Sequence, residues 1–275
     1  ELPASDDEFG QVHQALGVVH RAALRAAADR AELSDGISGA FVNLARRSQS
    51  LVNRQLELLD EMERETQDPG ALEELFRLDH LSTRMRRQAE SLIILSGADP
   101  GRSWSGPVPM TSVLQAAVCE IEDYRRIELR RLPDLALAGH AVADLTHLLA
   151  ELLENAAGFS PPHTWVKVTG SHTEDGYLCE IEDAGAGLEP AGVEHANRRI
   201  RRSDPLDLGA TDRLGLFVVG RLADRHGITV RLRGNDGDGV TATVLVPAAL
   251  LSAQPADWSG APDQVTGMAG MPSSA

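Results

Sequence analysis

Glu151 and Asn155 stand four residues apart in His147-Leu-Leu-Ala-Glu151-Leu-Leu-Glu154-Asn155. Around them Leu145, Leu148, Leu149, Leu152 and Leu153 recur at helical spacing and predict one buried face. On such a helix the carboxylate and the amide lie one turn apart on a common side. A pair of that kind can place a hard cation and a water beside a phosphate. It is equally the ordinary polar flank of a surface helix, and the pair alone does not choose. The choice is made by three later segments: Asp183-Ala-Gly185-Ala-Gly187, Arg213-Leu-Gly215-Leu216 and Gly237-Asp-Gly239-Val-Thr241.

In this order and at these separations the four segments resemble the N, G1, G2 and G3 boxes of the GHKL ATPases, the superfamily of gyrase, Hsp90, histidine kinases and MutL. The resemblance implies a Bergerat nucleotide site for ATP and Mg2+. Asn155 would coordinate the magnesium, and Glu151 would polarise the attacking group. Asp183 would accept a hydrogen bond from the adenine amino group, with Gly185 and Gly187 admitting the base where a β-carbon would clash. Gly215 and Leu216 would begin a helix whose free N–H groups meet phosphate. Thr241 would assist at the adenine side.

Residues 188–214 are too long and polar for a simple turn and predict a nucleotide lid. Asn197, Arg198, Arg199, Arg201 and Arg202 give that stretch positive charge, suited either to phosphate capture or to a solvated helix face. The sequence also departs from the family pattern. Its G2 segment is poor in glycine, and Gly158 stands where many kinases carry a lysine.

The elements that must position this site begin with helices. Residues 33–67 carry Ile37, Phe41, Leu44, Leu51, Leu58 and Met62 at alternating four- and three-residue steps, the period of a coiled-coil seam. Asp68-Pro69-Gly70 breaks the run. A second helix, to about residue 96, has Leu78, Leu81, Met85, Leu92 and Leu95 on its own seam. Such a hairpin is predicted to pair with a second copy as a four-helix bundle. It resembles the dimerisation and histidine-phosphotransfer hairpin of sensor kinases, which usually carry their acceptor on the first helix. That helix has no His here, and His80 on the second is the candidate phosphoacceptor, flanked by Arg84 and Arg87 that could screen a phosphoryl group. A merely packed or solvated His80 is the competing reading.

Phe41-Val-Asn43-Leu-Ala-Arg46-Arg47, Leu75-Phe-Arg-Leu-Asp79-His80-Leu81 and Leu214-Gly-Leu-Phe-Val-Val-Gly-Arg-Leu-Ala223 together resemble the sensor-like histidine kinases of actinobacteria. Some of these are encoded with Roadblock-type proteins and a small GTPase. The resemblance implies a membrane-anchored parent with this portion in the cytoplasm, and a response regulator or a GTPase/Roadblock-type system as partner. Asp6-Asp7-Glu8-Phe9-Gly10 looks like the second half of a HAMP linker, and the opening at Glu1 is expected of a piece of a longer protein.

A formal charge of −15 argues against nucleic acid as partner. Two cysteines are too few for a disulfide framework or a zinc site. No apolar run is long enough to span a membrane, so no membrane contact by this portion is expected. The expected organisation is α+β: a HAMP-like linker over 1–32, a hairpin over 33–98, an α/β-sandwich ATP-binding domain over 104–250 and a disordered tail over 251–275. Two functions fit: a histidine kinase, or a kinase-like nucleotide-binding scaffold that signals by docking partners. A gyrase- or Hsp90-like ATPase would leave the hairpin unexplained.

Overall fold

The computed structural model describes residues 42–64, 66, 68–96 and 104–253, apart from 105, 202–213 and 236–237, with a few isolated positions before 42. The HAMP-like stretch, the seam residues Ile37 and Phe41, and residues 254–275 lie outside the described residues.

Helix α1 runs over residues 42–64 and α2 over Pro69–Leu95. Asp68 caps α2, its carboxylate accepting from the N–H groups of Gly70 and Ala71, with Pro69 in the first turn where no N–H is needed. The buried stripes of the two helices are Ala45, Val52 and Leu59 on α1 and Leu75, Ser82 and Ala89 on α2, each at heptad spacing. These are not the expected seam positions. Of the expected seam, Leu95 is buried in the core, whereas Leu44, Leu51, Leu58, Met62, Leu78, Leu81 and Met85 remain 45–70 % exposed and form a second stripe beside the buried one.

Strand β1 (Val108–Pro109) is followed by α3 (Met110–Cys119), β2 (Ile127–Arg130), β3 (Leu135–Leu137) and α4 (Gly139–Gly158). Then come β4 (Val166–Thr173), β5 (Gly176–Glu182), α5 (Pro190–Arg201), α6 (Leu214–His226), β6 (Thr229–Gly234), β7 (Val240–Pro247) and β8 (Leu251–Ala253). Five strands form a sheet in the order β2-β4-β5-β7-β6, parallel only between β2 and β4. Strands β1, β3 and β8 form a small antiparallel sheet. Thus residues 251–253, expected in the tail, close that sheet instead, because Leu251 pairs with Leu137.

The five-stranded sheet alternates strictly. Val166, Val168, Cys179, Ile181, Val244 and Val246 are buried against α3, α4 and α6, while Lys167, Glu180, Glu182, Arg231 and Arg233 line the other side. The lid expectation is corrected in part: residues 190–201 form the amphipathic helix α5, which packs on α6 and β6. Gly220 permits that packing, since a β-carbon there would stand 2.1 Å from the carbonyl oxygen of Ile200.

Candidate functional site

Helix α4 presents its leucines to the core and leaves Glu151, Glu154 and Asn155 half-buried on its other flank. Its C-terminus, where carbonyls lack helical partners, is held by Arg126. That guanidinium donates to the carbonyls of Ala157 (3.1 Å), Ser160 (3.2 Å), Pro161 (2.7 Å) and Thr164 (3.0 Å). A cation at a helix C-terminus also suits the macrodipole. Ser160, fixed in this way, accepts from the N–H of Ala184 through its hydroxyl and ties α4 to the loop after β5.

That loop is built around Asp183. Its Oδ1 accepts from the N–H groups of Gly185 (2.8 Å) and Val240 (3.1 Å), and its backbone N–H donates to the carbonyl of Val240. Gly239 has φ +105° and lies so close that a β-carbon would sit 2.2 Å from the Asp183 carbonyl oxygen. Gly185 is pressed against the carbonyl of Phe159, whose oxygen a β-carbon would meet at 2.6 Å, and Gly187, at φ +73°, lies against Gly239. Asp183, Gly185, Gly187 and Gly239 therefore form one shelf. Oδ2 of Asp183 has no protein partner among the described residues, so it is available to a donor from outside.

Asn155, Glu151 and Gly215 form a second group. A β-carbon on Gly215 would lie 2.6 Å from Oε2 of Glu151 and 3.7 Å from Nδ2 of Asn155. The first turn of α6 therefore meets α4 at the carboxylate–amide pair, with Leu216 packed on the core behind it. The Asn155 side chain has no hydrogen bond to the described residues, as befits a ligand for phosphate or a hard cation. The two groups share α4, because Phe159 and Ser160 touch the shelf one turn beyond Asn155.

Glu151, by contrast, is already engaged. Nε of Arg87 lies 3.2 Å from its Oε1, and Nε2 of His147 lies 3.5 Å from the same oxygen. Burial pushes the Glu151 carboxyl up, but His147 and Arg87 outweigh it and hold the group below the usual carboxylate range. The Arg87 guanidinium is itself sunk in the protein. It pairs with Glu154 as well and donates to the carbonyl of Glu120 (2.8 Å). Burial holds Arg87 below the ordinary arginine value, opposed by the charges of Glu151 and Glu120. Arg84 pairs with Glu154 and Glu122, and Ser91 meets Nε2 of His147 at 3.0 Å. The expectation that Arg84 and Arg87 screen a phosphoryl group on the hairpin is therefore corrected: both reach across to the sheet-containing domain.

Other expected residues lie elsewhere. Asn197 pins α5 to β6 by a two-way bond with the backbone of Leu232, both contacts 2.8 Å. Arg199 stacks over the Phe217 ring at 4.8 Å, whereas Arg198 and Arg201 are exposed at the end of α5. Thr241 is buried and donates to Asn235 (2.6 Å), and it lines a cavity of about 330 Å³ on the sheet face away from the helices, with Lys167, Glu182 and Arg233. Neither Asn155 nor Gly215 lines that cavity. His80 lies within α2. Arg126, His147 and the reach of Arg87 were not identified as site features from sequence; an arginine just before a strand gives no hint that it will cap a helix some thirty residues later.

Residues 141–250 match the family model described as "Histidine kinase-, DNA gyrase B-, and HSP90-like ATPase". The fold and the four boxes thus define an ATPase domain of the GHKL superfamily. Within that superfamily, the chain is similar to sensor-like histidine kinases. It is 31 % identical over 106 residues to the sensor-like histidine kinase SenX3 of Mycobacterium tuberculosis, an alignment covering 38 % of this chain and 26 % of that protein. With the sensor protein QseC of Escherichia coli it shares 28 % over 189 residues, covering 64 % and 40 %. It therefore spans between about a quarter and two-fifths of the length of these relatives. Among solved structures, the mycobacterial sensor histidine kinase MprB aligns at 26 % identity and a TM-score of 0.42, over 51 % of this chain and 95 % of that one. Full-length ShkA in complex with AMPPNP aligns at 21 % identity and a TM-score of 0.47, over 76 % and 45 %. Among the described residues no helix is long and apolar enough to cross a membrane.

Proposed function

We propose that the chain is the cytoplasmic, catalytic portion of a sensor histidine kinase that binds Mg-ATP and transfers its γ-phosphoryl group to His80. The observation that carries this reading is the pairing of an Asp183 carboxylate, anchored through one oxygen only, with an unengaged Asn155 amide one turn from the same shelf. The first fits the adenine amino group; the second fits the metal. Magnesium, when bound, would neutralise charge on the phosphates, with Asn155 its ligand from this chain. The N–H groups opening α6 would receive phosphate oxygens.

In the transfer, a ring nitrogen of His80 forms a bond to the γ-phosphorus as the bond from that phosphorus to its bridging oxygen breaks. ADP leaves with the electron pair, and Glu151 takes the proton from the imidazole. The exposed leucine stripe of α1 and α2 supports a homodimer in which a second copy covers it. A receiver-type response regulator, or a GTPase/Roadblock-type system, would take the signal onward.

Calorimetry with ATP, ADP and GTP, followed by incubation with γ-labelled ATP and magnesium, tests the reading. Adenine-selective heat and an acid-labile label that disappears in His80→Ala are expected. Selective ATP binding with no label at all would return the protein to the scaffold class.

A further inference from the structure

The face of the five-stranded sheet that the helices leave open carries its charges in an ordered pattern. Residues directly opposite one another in neighbouring strands point to the same side. One such row crosses the whole sheet: Glu128, Lys167, Glu182, Thr241 and Arg233, each paired with the next. A second row begins two residues along, with Arg130 opposite Thr169 and Thr169 opposite Glu180. Thr169 and Thr241 are short among long neighbours, and the hollow they leave is the cavity of about 330 Å³.

Four cations reach that cavity, Arg130, Arg131, Lys167 and Arg233, against the two carboxylates of Glu180 and Glu182. The surplus is positive in a chain whose formal charge is −15, and a concave wall focuses such a field. The carboxylates are already matched: Glu180 lies 3.2 Å from Arg233, and Glu182 lies 3.6 Å from Lys167. Arg131 is different. It has no hydrogen bond or ion pair among the described residues, and its backbone stands at φ +49°, a left-handed conformation that an arginine adopts only at a cost. The Thr169 hydroxyl is likewise without a hydrogen bond among the described residues.

The signs are also ordered in space. Arg130 and Arg131 belong to the β2 edge and Arg233 to the β6 edge, with Glu180 and Glu182 on β5 between them. The edge strands are four spacings or about 19 Å apart at the backbone, a gap that long side chains narrow. A matching ligand is therefore negative at each end and uncharged between. At about 30 Å³ per water the cavity has room for roughly ten non-hydrogen atoms. Two phosphoryl ends would bring about three to four charges to a surplus of two, whereas two carboxylates match it.

We propose that this cavity is a binding site for a short linear dicarboxylate, with Arg130 and Arg131 holding one end and Arg233 the other. Asp183, Gly185 and Asn155 do not line it, so a nucleotide on the shelf and a dicarboxylate here can be held at once. The site does not require the chain to transfer phosphate, so its fate and that of the kinase reading are decided separately.

The full chain is titrated calorimetrically at low ionic strength with adipate, which is of about this size, and with hexanoate, which lacks the second carboxylate. Expected is saturable adipate heat that weakens as salt is added, is far stronger than that of hexanoate, and persists with ADP at saturation. Arg131→Gly removes the guanidinium and suits the left-handed backbone; it should weaken adipate by about tenfold or more. Glu180→Gln removes a competing carboxylate and should tighten adipate by about threefold. Absence of adipate heat overturns the proposal, as do equal binding of hexanoate, loss of the heat when ADP is bound, and unchanged affinity in either variant. A glutamate-rich peptide that binds where adipate does not would make the face a protein-docking surface and overturns it too. Adipate heat without ADP heat upholds this site and fells the nucleotide reading. Should Arg131→Gly not fold by circular dichroism, Glu180→Gln carries the decision alone.

Discussion

Replacing Asp183 by Asn separates what this carboxylate does for the fold from what it does for a nucleotide. One oxygen accepts from the N–H groups of Gly185 and Val240, and the other faces no protein partner among the described residues. An Asn whose carbonyl oxygen takes the place of Oδ1 keeps both backbone bonds but makes them neutral. A hydrogen bond to a charged group is worth about 1.5–3 kcal/mol and a neutral one about 0.5–1.5, so the two bonds together lose about 2 kcal/mol. For a unit of this size that is a fall in melting temperature of about 4–8 °C. The outward position, however, changes from acceptor to N–H2 donor, and the adenine amino group would meet another donor. Losing the charged bond and leaving a desolvated donor costs about 3–5 kcal/mol, or two to nearly four orders of magnitude in affinity. Calorimetry with ATP and ADP, alongside thermal melts, gives both numbers. Asp183→Ala should reverse the balance by melting much lower, since it orphans two N–H groups. If Asp183→Asn binds ADP within threefold of the native protein while melting where expected, the carboxylate does not read adenine and the shelf is only a turn.

The remaining predictions concern other parts of the chain. Asp144 is buried, and that pushes its carboxyl up, but the bonds from His226 (2.7 Å) and Arg225 (2.9 Å) outweigh burial and depress it. The stability it supplies is therefore complete above the ordinary carboxyl value of about 3.9 and is lost as pH falls through the depressed value; melts between pH 7 and 3 should show a shallower acid limb in Asp144→Asn. Cys179 is fully enclosed and its thiol is pushed up to about 12 by burial, while Cys119 is exposed, so Ellman titration of the native protein at pH 8 should count one thiol and two only after unfolding. Leu51 is 70 % exposed on the leucine stripe. Leu51→Glu should convert a dimer to a monomer by light scattering without altering ADP affinity, and a native chain already monomeric at high micromolar concentration would refute the bundle.

That Asp183 and the glycines after it come together was legible because their contacts are backbone chemistry. Gly239 and Gly187 are demanded by positive φ and close approach, and such demands leave glycine in the sequence wherever the chain must bend in this way. The helices α4 and α6 were equally legible, since α6 begins and ends where the run from Leu214 to His226 predicts. What did not show was anything made by long side chains across the fold. Arg126 and Arg87 sit in polar sequence like any surface arginine, yet each ends on groups more than thirty residues away. Asn197 and Arg199 were read as a cationic lid because charge is visible in a sequence, whereas the backbone of Leu232 and the ring of Phe217 that receive them are not. Thr241 failed on parity: in β7 it takes the same side as Thr243, opposite Ala242 and Val244.

Helix α2 shows why the hairpin was harder to read than the shelf. Leu75, Ser82 and Ala89 form a buried stripe within the protomer, Leu78, Leu81 and Met85 form an exposed one, and Arg84, Arg87 and Ser91 form a third turned to α4. A heptad argument ranks stripes by hydrophobicity and so selects the leucines, yet a stripe of Ser and Ala is what lets two helices of one chain lie close. The leucines are then left exposed, and the arginines meet the acidic flank of α4. A helix divided in this way cannot turn about its axis without disturbing all three contacts together. A turn of α2 about its axis is therefore coupled, by geometry alone, to both the exposed leucine stripe and the carboxylate that Arg87 holds.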